Sequence, residues 1–214
     1  QEFPSRYRRI LNNYLGICSQ TGDYQVFEQL LAKVRSSPAT QPVDKAEIFS
    51  IGHIAELLSR MGTYDWIGVE AMIPSLKAGL VAYGPLLRQS TVLVFQYHIA
   101  VFYFLSEDYA SCRKWLREIT EAPRTEQRMD IQRMAKVLNL LLIWQKRDFE
   151  LLEFELRSVT RYFENWGGGL LEQIAIQLVQ ALLHAEDQTS EKSALMEFDR
   201  CISQSGMEEA LGGT

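Results

Sequence analysis

The chain has 214 residues, 47% of them hydrophobic and 23% charged, which is too apolar for a disordered segment and long enough to bury a substantial core. Its formal charge of −5 excludes the strongly basic surface on which phosphate-backbone binding depends, so nucleic acid is not an expected partner. Cys18, Cys112 and Cys201 stand far apart with no paired or ligand-like spacing, which points to a reducing, cytoplasmic setting and away from a disulfide framework.

The chain opens on Gln1-Glu2-Phe3-Pro4 without a Met, as a processed protein or an excised fragment would. Arg6, Arg8 and Arg9 form a local basic cluster. Leu11, Leu15 and Cys18 then run down a first helix, Gly22-Asp23-Tyr24 breaks it, and Phe27, Leu31 and Val34 mark a second. After a connection from Ser36 to Val43, the residues Ile48, Ile51, Ile54, Ala55 and Leu58 share one side of a third helix, which ends at Gly62-Thr63-Tyr64 before Ile67 and Ala71 begin a fourth. A break at Tyr83-Gly84-Pro85 leads to the longest apolar stretch, Val92 to Leu105. Gln96 and His98 interrupt it, and it falls short of the ~20 residues of a membrane span, so it reads as a buried helix and no membrane is expected.

Ile99, Ala100 and Tyr103 precede the next break, Glu107-Asp108-Tyr109, and Cys112 and Leu116 follow it. The basic run Arg113, Lys114, Arg117, Arg124, Arg128 and Arg133 is interleaved with Glu118, Glu121, Glu126 and Asp130 and reads as a solvated helix face. A connection at Glu121-Ala122-Pro123 is followed by a helix ending at Arg147-Asp148-Phe149, beyond which Phe149, Leu152, Leu156, Val159 and Phe163 keep helical spacing. Gly167-Gly168-Gly169 breaks the chain again; Leu170 to Ala185 and Lys192 to Ser203 read as two closing helices, and Glu208 to Thr214 as a frayed tail. No segment shows period-two alternation between hairpin turns, so the expected class is all-α.

The four breaks place aromatics at positions 24, 64, 109 and 149, a period in the range of helical solenoids. At Gly22-Asp23-Tyr24 and Gly62-Thr63-Tyr64, glycine ends one helix, Asp or Thr starts the next, and the aromatic is expected to wedge between the pair. In these turns, and in Cys112 where a small residue packs against a neighbouring helix, the chain resembles the tetratricopeptide-repeat family. It departs from it in having Glu107 and Arg147 in place of glycine, few closing prolines and longer second helices. The resemblance implies one α-α superhelix over residues 1–214, with units at about 6–36, 44–83, 88–121 and 129–165 and C-terminal helices at 168–186 and 191–205. A plain helical bundle made of the same hairpins is the alternative.

For function, the resemblance implies a non-catalytic scaffold that binds a peptide or protein surface on its concave face. The family's ligand-facing positions map onto Asn12, Gly16, Ser19 and Gln20, onto Glu56, Ser59 and Arg60, onto Tyr97, Val101 and Phe104, and onto Val137, Leu141, Trp144 and Gln145. That surface is polar at its N-terminal end and apolar at its C-terminal end, where the last helices are expected to cover it; the alternative is that the apolar end receives a partner's amphipathic or extended peptide. Two other readings remain: a self-associating structural module that forms a homo-oligomer, and a helical metal-binding enzyme using His53 and Glu56. His53-x-x-Glu56 has no second copy, His98 and His184 stand apart, no Cys or Ser shows the nucleophile-and-base arrangement usual at a strand or helix terminus, and the triple glycine lacks a Walker Lys. No metal, cofactor or catalytic residue is therefore expected, and whether the chain is the C-terminal part of a longer protein stays open.

Overall fold

The computed structural model describes residues 3–122 and 128–205, without the side chains of residues 3 and 4. Pro123, Arg124, Glu126 and the tail from Glu208 to Thr214 lie outside the described residues. The described chain is all-α, with α1 (Phe3–Thr21), α2 (Tyr24–Arg35), α3 (Pro42–Gly62), α4 (Trp66–Tyr83), a 3-10 turn (Gly84–Leu86), α5 (Gln89–Leu105), α6 (Tyr109–Glu121), α7 (Met129–Gln145), α8 (Phe149–Trp166), α9 (Leu170–Leu183) and α10 (Gln188–Gln204). It forms two compact units that divide within α5, one running to Phe95 and one starting at Gln96. In the first, α1 packs on α2 and α3, α2 on α3, and α3 on α4; in the second, α6 packs on α7, α7 on α8 and α9, α8 on α9, and α9 on α10.

One turn recurs four times. The chain enters the left-handed region at Gly22 (φ 72°), Tyr64 (φ 58°), Glu107 (φ 60°) and Arg147 (φ 58°). The next residue is Asp in each case, and its carboxylate accepts the backbone N–H three positions on: Asp23 from Val26 at 3.1 Å, Asp65 from Gly68 at 2.9 Å, Asp108 from Ser111 at 3.0 Å, and Asp148 from Leu151 at 3.2 Å. The left-handed residue folds the chain back, so that Asp23 N reaches Cys18 O at 3.0 Å and Asp65 N reaches Arg60 O at 2.9 Å. These bonds satisfy carbonyls that the helix end leaves without a partner, and the Asp then satisfies donors at the start of the next helix.

This geometry corrects the sequence register in the second hairpin. The counterpart of Gly22-Asp23-Tyr24 is Tyr64-Asp65-Trp66, not Gly62-Thr63-Tyr64. The left-handed residues therefore recur at steps of 42, 43 and 40 residues. Tyr64 is not a wedge between helices, since it is 78% exposed; Trp66 takes the aromatic position.

In this register the buried residues of the second helices coincide. Phe27, Val69, Cys112 and Leu152 lie in the first turn after the cap, Leu31, Ile73, Leu116 and Leu156 one turn on, and Val34, Leu76, Ile119 and Val159 in the next, all buried. On the first helices, Leu15, Leu57, Ala100 and Leu140 share one position and are buried likewise.

Arg8 does not belong to a surface basic cluster. It follows the core spacing of Leu11, Leu15 and Cys18 and is 1% exposed. Its guanidinium donates to Glu47 at 2.7 Å, to Asp44 at 2.6 Å and to the Pro38 carbonyl at 3.1 Å. It thereby ties α1 to the start of α3 and to the connection before it. Asp44 in turn accepts the backbone N–H of Gln41 at 3.0 Å, so one carboxylate both pairs with the buried cation and caps α3.

A non-glycine residue in the left-handed region costs roughly 1–2 kcal/mol. Gly22→Ala should therefore lower, and Tyr64→Gly raise, the free energy of unfolding by about 1 kcal/mol each, read from urea denaturation midpoints.

Candidate functional site

The sequence-derived site residues fall into different environments. In α1, Asn12 and Gln20 are exposed and Ser19 is half-buried. Glu56, Ser59 and Arg60 were expected on the same face, but the corrected register assigns that face of α3 to Ile54, Leu58 and Met61, all half-buried. Glu56 instead pairs with Arg35 of α2 and, at 2.8 Å, with Arg60, which also pairs with Asp65 in the turn. Burial alone would raise the Glu56 carboxyl, but hydrogen bonds from Arg60 and Arg35 outweigh it and hold it below the usual range. Asp65 is held low by the backbone N–H of Gly68 and then by Arg60. These charges join α2, α3 and the turn to one another.

In the second unit, Tyr97 is partly buried, and burial followed by the nearby Asp130 charge pushes its phenol up to about 12. Trp144 is 8% exposed and belongs to a core with Val137, Leu140, Leu156, Ile176, Val179 and Leu182, against which Ala194 and Phe198 of α10 also pack. The apolar face of α7 thus packs on α9, and Trp144 is a core residue where a partner-binding one was expected. Gln145, one residue on, is exposed.

His53 donates from Nδ1 to the Phe49 carbonyl at 3.0 Å, and its ring lies 4.5 Å from that of Phe49. Phe49 also meets Tyr83 at 5.4 Å and Phe95 at 5.3 Å, and a Cβ at Gly79 would collide with its ring. His53 is therefore part of an aromatic core, and the Glu56 carboxylate that a metal site would need beside it is occupied by two arginines. Among the described residues no three His, Cys, Asp or Glu side chains converge as metal ligands. Cys18 and Cys112 are buried thiols, and burial pushes Cys112 up to about 12, where little nucleophilic thiolate forms.

Sequence reasoning missed a groove of about 710 Å³ between α8 and the end of α9, lined by Phe149, Glu153, Leu156, Arg157, Leu183 and His184 among others. Its lining comes from two helices whose facing was not readable before their packing was known. Among the described residues no helix is long and apolar enough to cross a membrane. No protein-family model, no curated protein and no solved structure matches the chain.

Two outcomes follow. Trp144 Nε1 has no acceptor among the described residues, so Trp144→Phe should change unfolding free energy by less than about 1 kcal/mol, whereas Trp144→Ala should cost about 3–5 kcal/mol, both read by chemical denaturation. Burial lowers the pKa of His53, so as pH falls the unfolded chain takes up this proton before the folded one. Stability should therefore decline as pH drops from about 6.5 toward 5, and His53→Gln should flatten that part of the curve.

Proposed function

We propose that the chain is a non-catalytic protein-interaction module of tetratricopeptide-like type, its hairpins forming an α-α superhelix that binds a peptide or protein surface on its inner face. The observation that carries this reading is the common register of the four hairpins: a left-handed residue, an Asp cap and the same buried positions in each second helix. Packing of α1 on both α2 and α3, and of α7 on both α8 and α9, is what such a repeat requires. A buried, high-pKa Cys112 and a His53 bonded into the helix suit a binding protein better than a catalyst.

The partner surface is the side of α1 and α3 bearing Asn12, Gly16 and Ser19 beside Ile54, Leu58 and Met61. The corresponding residues of α7, Val137, Leu141 and Trp144, lie in or against a core shared with α9, whereas Asn12 and Gly16 are exposed and Leu58 is only half-buried. Mixed apolar and amide groups of this kind accommodate an extended or helical segment of another protein.

The test is site-specific photo-crosslinking in lysate of the source cell, with the crosslinker at Asn12 or Leu58 and, as control, at Glu28 on the exposed side of α2. A discrete adduct formed from positions 12 and 58 but not from 28 is the expected result. Equal labelling from all three positions, or none, would remove the inner-face reading.

A further inference from the structure

The opposite side of α1 carries a second apolar stripe. Tyr7, Ile10, Tyr14 and Ile17 follow one another at steps of three, four and three, and each is 48–55% exposed. Half-exposed aromatic and branched side chains in a row amount to roughly 400 Å² of apolar surface, within the range of the largest patch on a monomer and often a functional one.

The repeat register shows what this face is shaped to receive. The α3 counterparts of Ile10 and Tyr14 are Gly52 and Glu56, and both meet α2: a Cβ at Gly52 would touch Leu31 and Arg35, and Glu56 pairs with Arg35. On α3, then, this side accepts a helix. On α1 it is larger, more apolar and open.

Charge selects the helix. From Phe3 to Thr21, α1 holds three arginines and no carboxylate. Arg8 is buried and paired, but Arg6 and Arg9 are exposed and form no ion pair among the described residues. With Asn13 they occupy the register of Ile48, Ile51 and Ala55, which pack against the core of α1 and α2. Another apolar hairpin of the same kind would bury two unpaired cations there, at high cost. A second copy of the chain would bring the same arginines on its own α1 and no carboxylate to meet them. A lipid surface is the poorer fit, because an interfacial helix sinks its apolar face about 5–10 Å into the headgroups, and these side chains are already half covered by their own fold.

We propose that this face of α1 docks an acidic amphipathic helix of another protein, whose apolar side chains cover Ile10, Tyr14 and Ile17 while its carboxylates pair with Arg6 and Arg9. The site is separate from the α1–α3 face and stands or falls independently of it.

A displayed library of helical peptides, about four turns long, panned against the purified full chain tests this directly. Enriched peptides should be acidic, with apolar residues at helical spacing. They should bind Ile10→Asp and the double variant Arg6→Glu/Arg9→Glu at least ten-fold more weakly, with melting curves unchanged because all three positions are exposed. Panning the double variant should enrich basic peptides instead. The proposal is overturned by no enrichment, by peptides indifferent to these substitutions, by flotation of the chain with phosphatidylserine vesicles that Ile10→Asp abolishes, or by a dimer in sedimentation equilibrium that Ile10→Asp dissociates.

Discussion

Everything in this fold depends on a turn of two residues. A left-handed residue ends one helix and the following Asp starts the next, so the chain reverses with its backbone donors and carbonyls satisfied and without a long loop. Such a turn fixes both the spacing and the rotation of the second helix relative to the first. That is why Phe27, Val69, Cys112 and Leu152, otherwise unlike, reach the same buried place. The cap is invariant across the four turns because only a short side-chain acceptor can reach back to the third N–H. The left-handed residue varies among Gly, Tyr, Glu and Arg because the three non-glycine residues are exposed there, so the cost of leaving glycine is conformational and modest.

With the turns fixed, the two kinds of helix are under different demands. A second helix such as α8 buries one stripe, Leu152, Leu156, Val159 and Phe163, and leaves the rest to water. A first helix such as α7 must meet α6, α8 and α9, and it buries Ile131, Ala135, Leu138, Leu142 and Ile143 around much of its circumference. Polar groups that enter such a position have to bring partners with them. Arg8 does so with Asp44, Glu47 and Pro38, and Glu56 with Arg35 and Arg60. Trp144 Nε1 finds none among the described residues, although its ring fills the core and Arg147 lies 5.0 Å from it.

The helices and their class were legible because apolar spacing near 3.6 residues has no competitor in this chain, and three of the four turns could be read from an Asp beside an aromatic. The second turn was misread for a physical reason. Gly62 looks like the helix terminator, yet the chain keeps helical geometry through it and turns at Tyr64, because Asp65 and not Thr63 caps the next helix. That shift of two residues moved Glu56, Ser59 and Arg60 onto a face they do not occupy and hid Ile54, Leu58 and Met61. Arg8 could have been found from its core spacing with Leu11, Leu15 and Cys18; its residue type argued for the surface until Asp44 and Glu47 were seen to meet it. The burial of Trp144 in a core shared with α9 depends on long-range packing that no local pattern records.

The same register explains why the two ends of α1 and α7 differ in what they offer. Where α7 has Val137 and Trp144, α1 has Asn12 and Ser19, and where α3 has Ile48, Ile51 and Ala55, α1 has Arg6, Arg9 and Asn13. A helix that packs on neighbours from both sides needs apolar residues at both sets of positions; α1 has exchanged them for groups that prefer water or a charged partner. The apolar residues it retains on its open side are Tyr7, Ile10, Tyr14 and Ile17. They sit beside Arg6 and Arg9, which form no ion pair among the described residues, a combination that internal packing penalises.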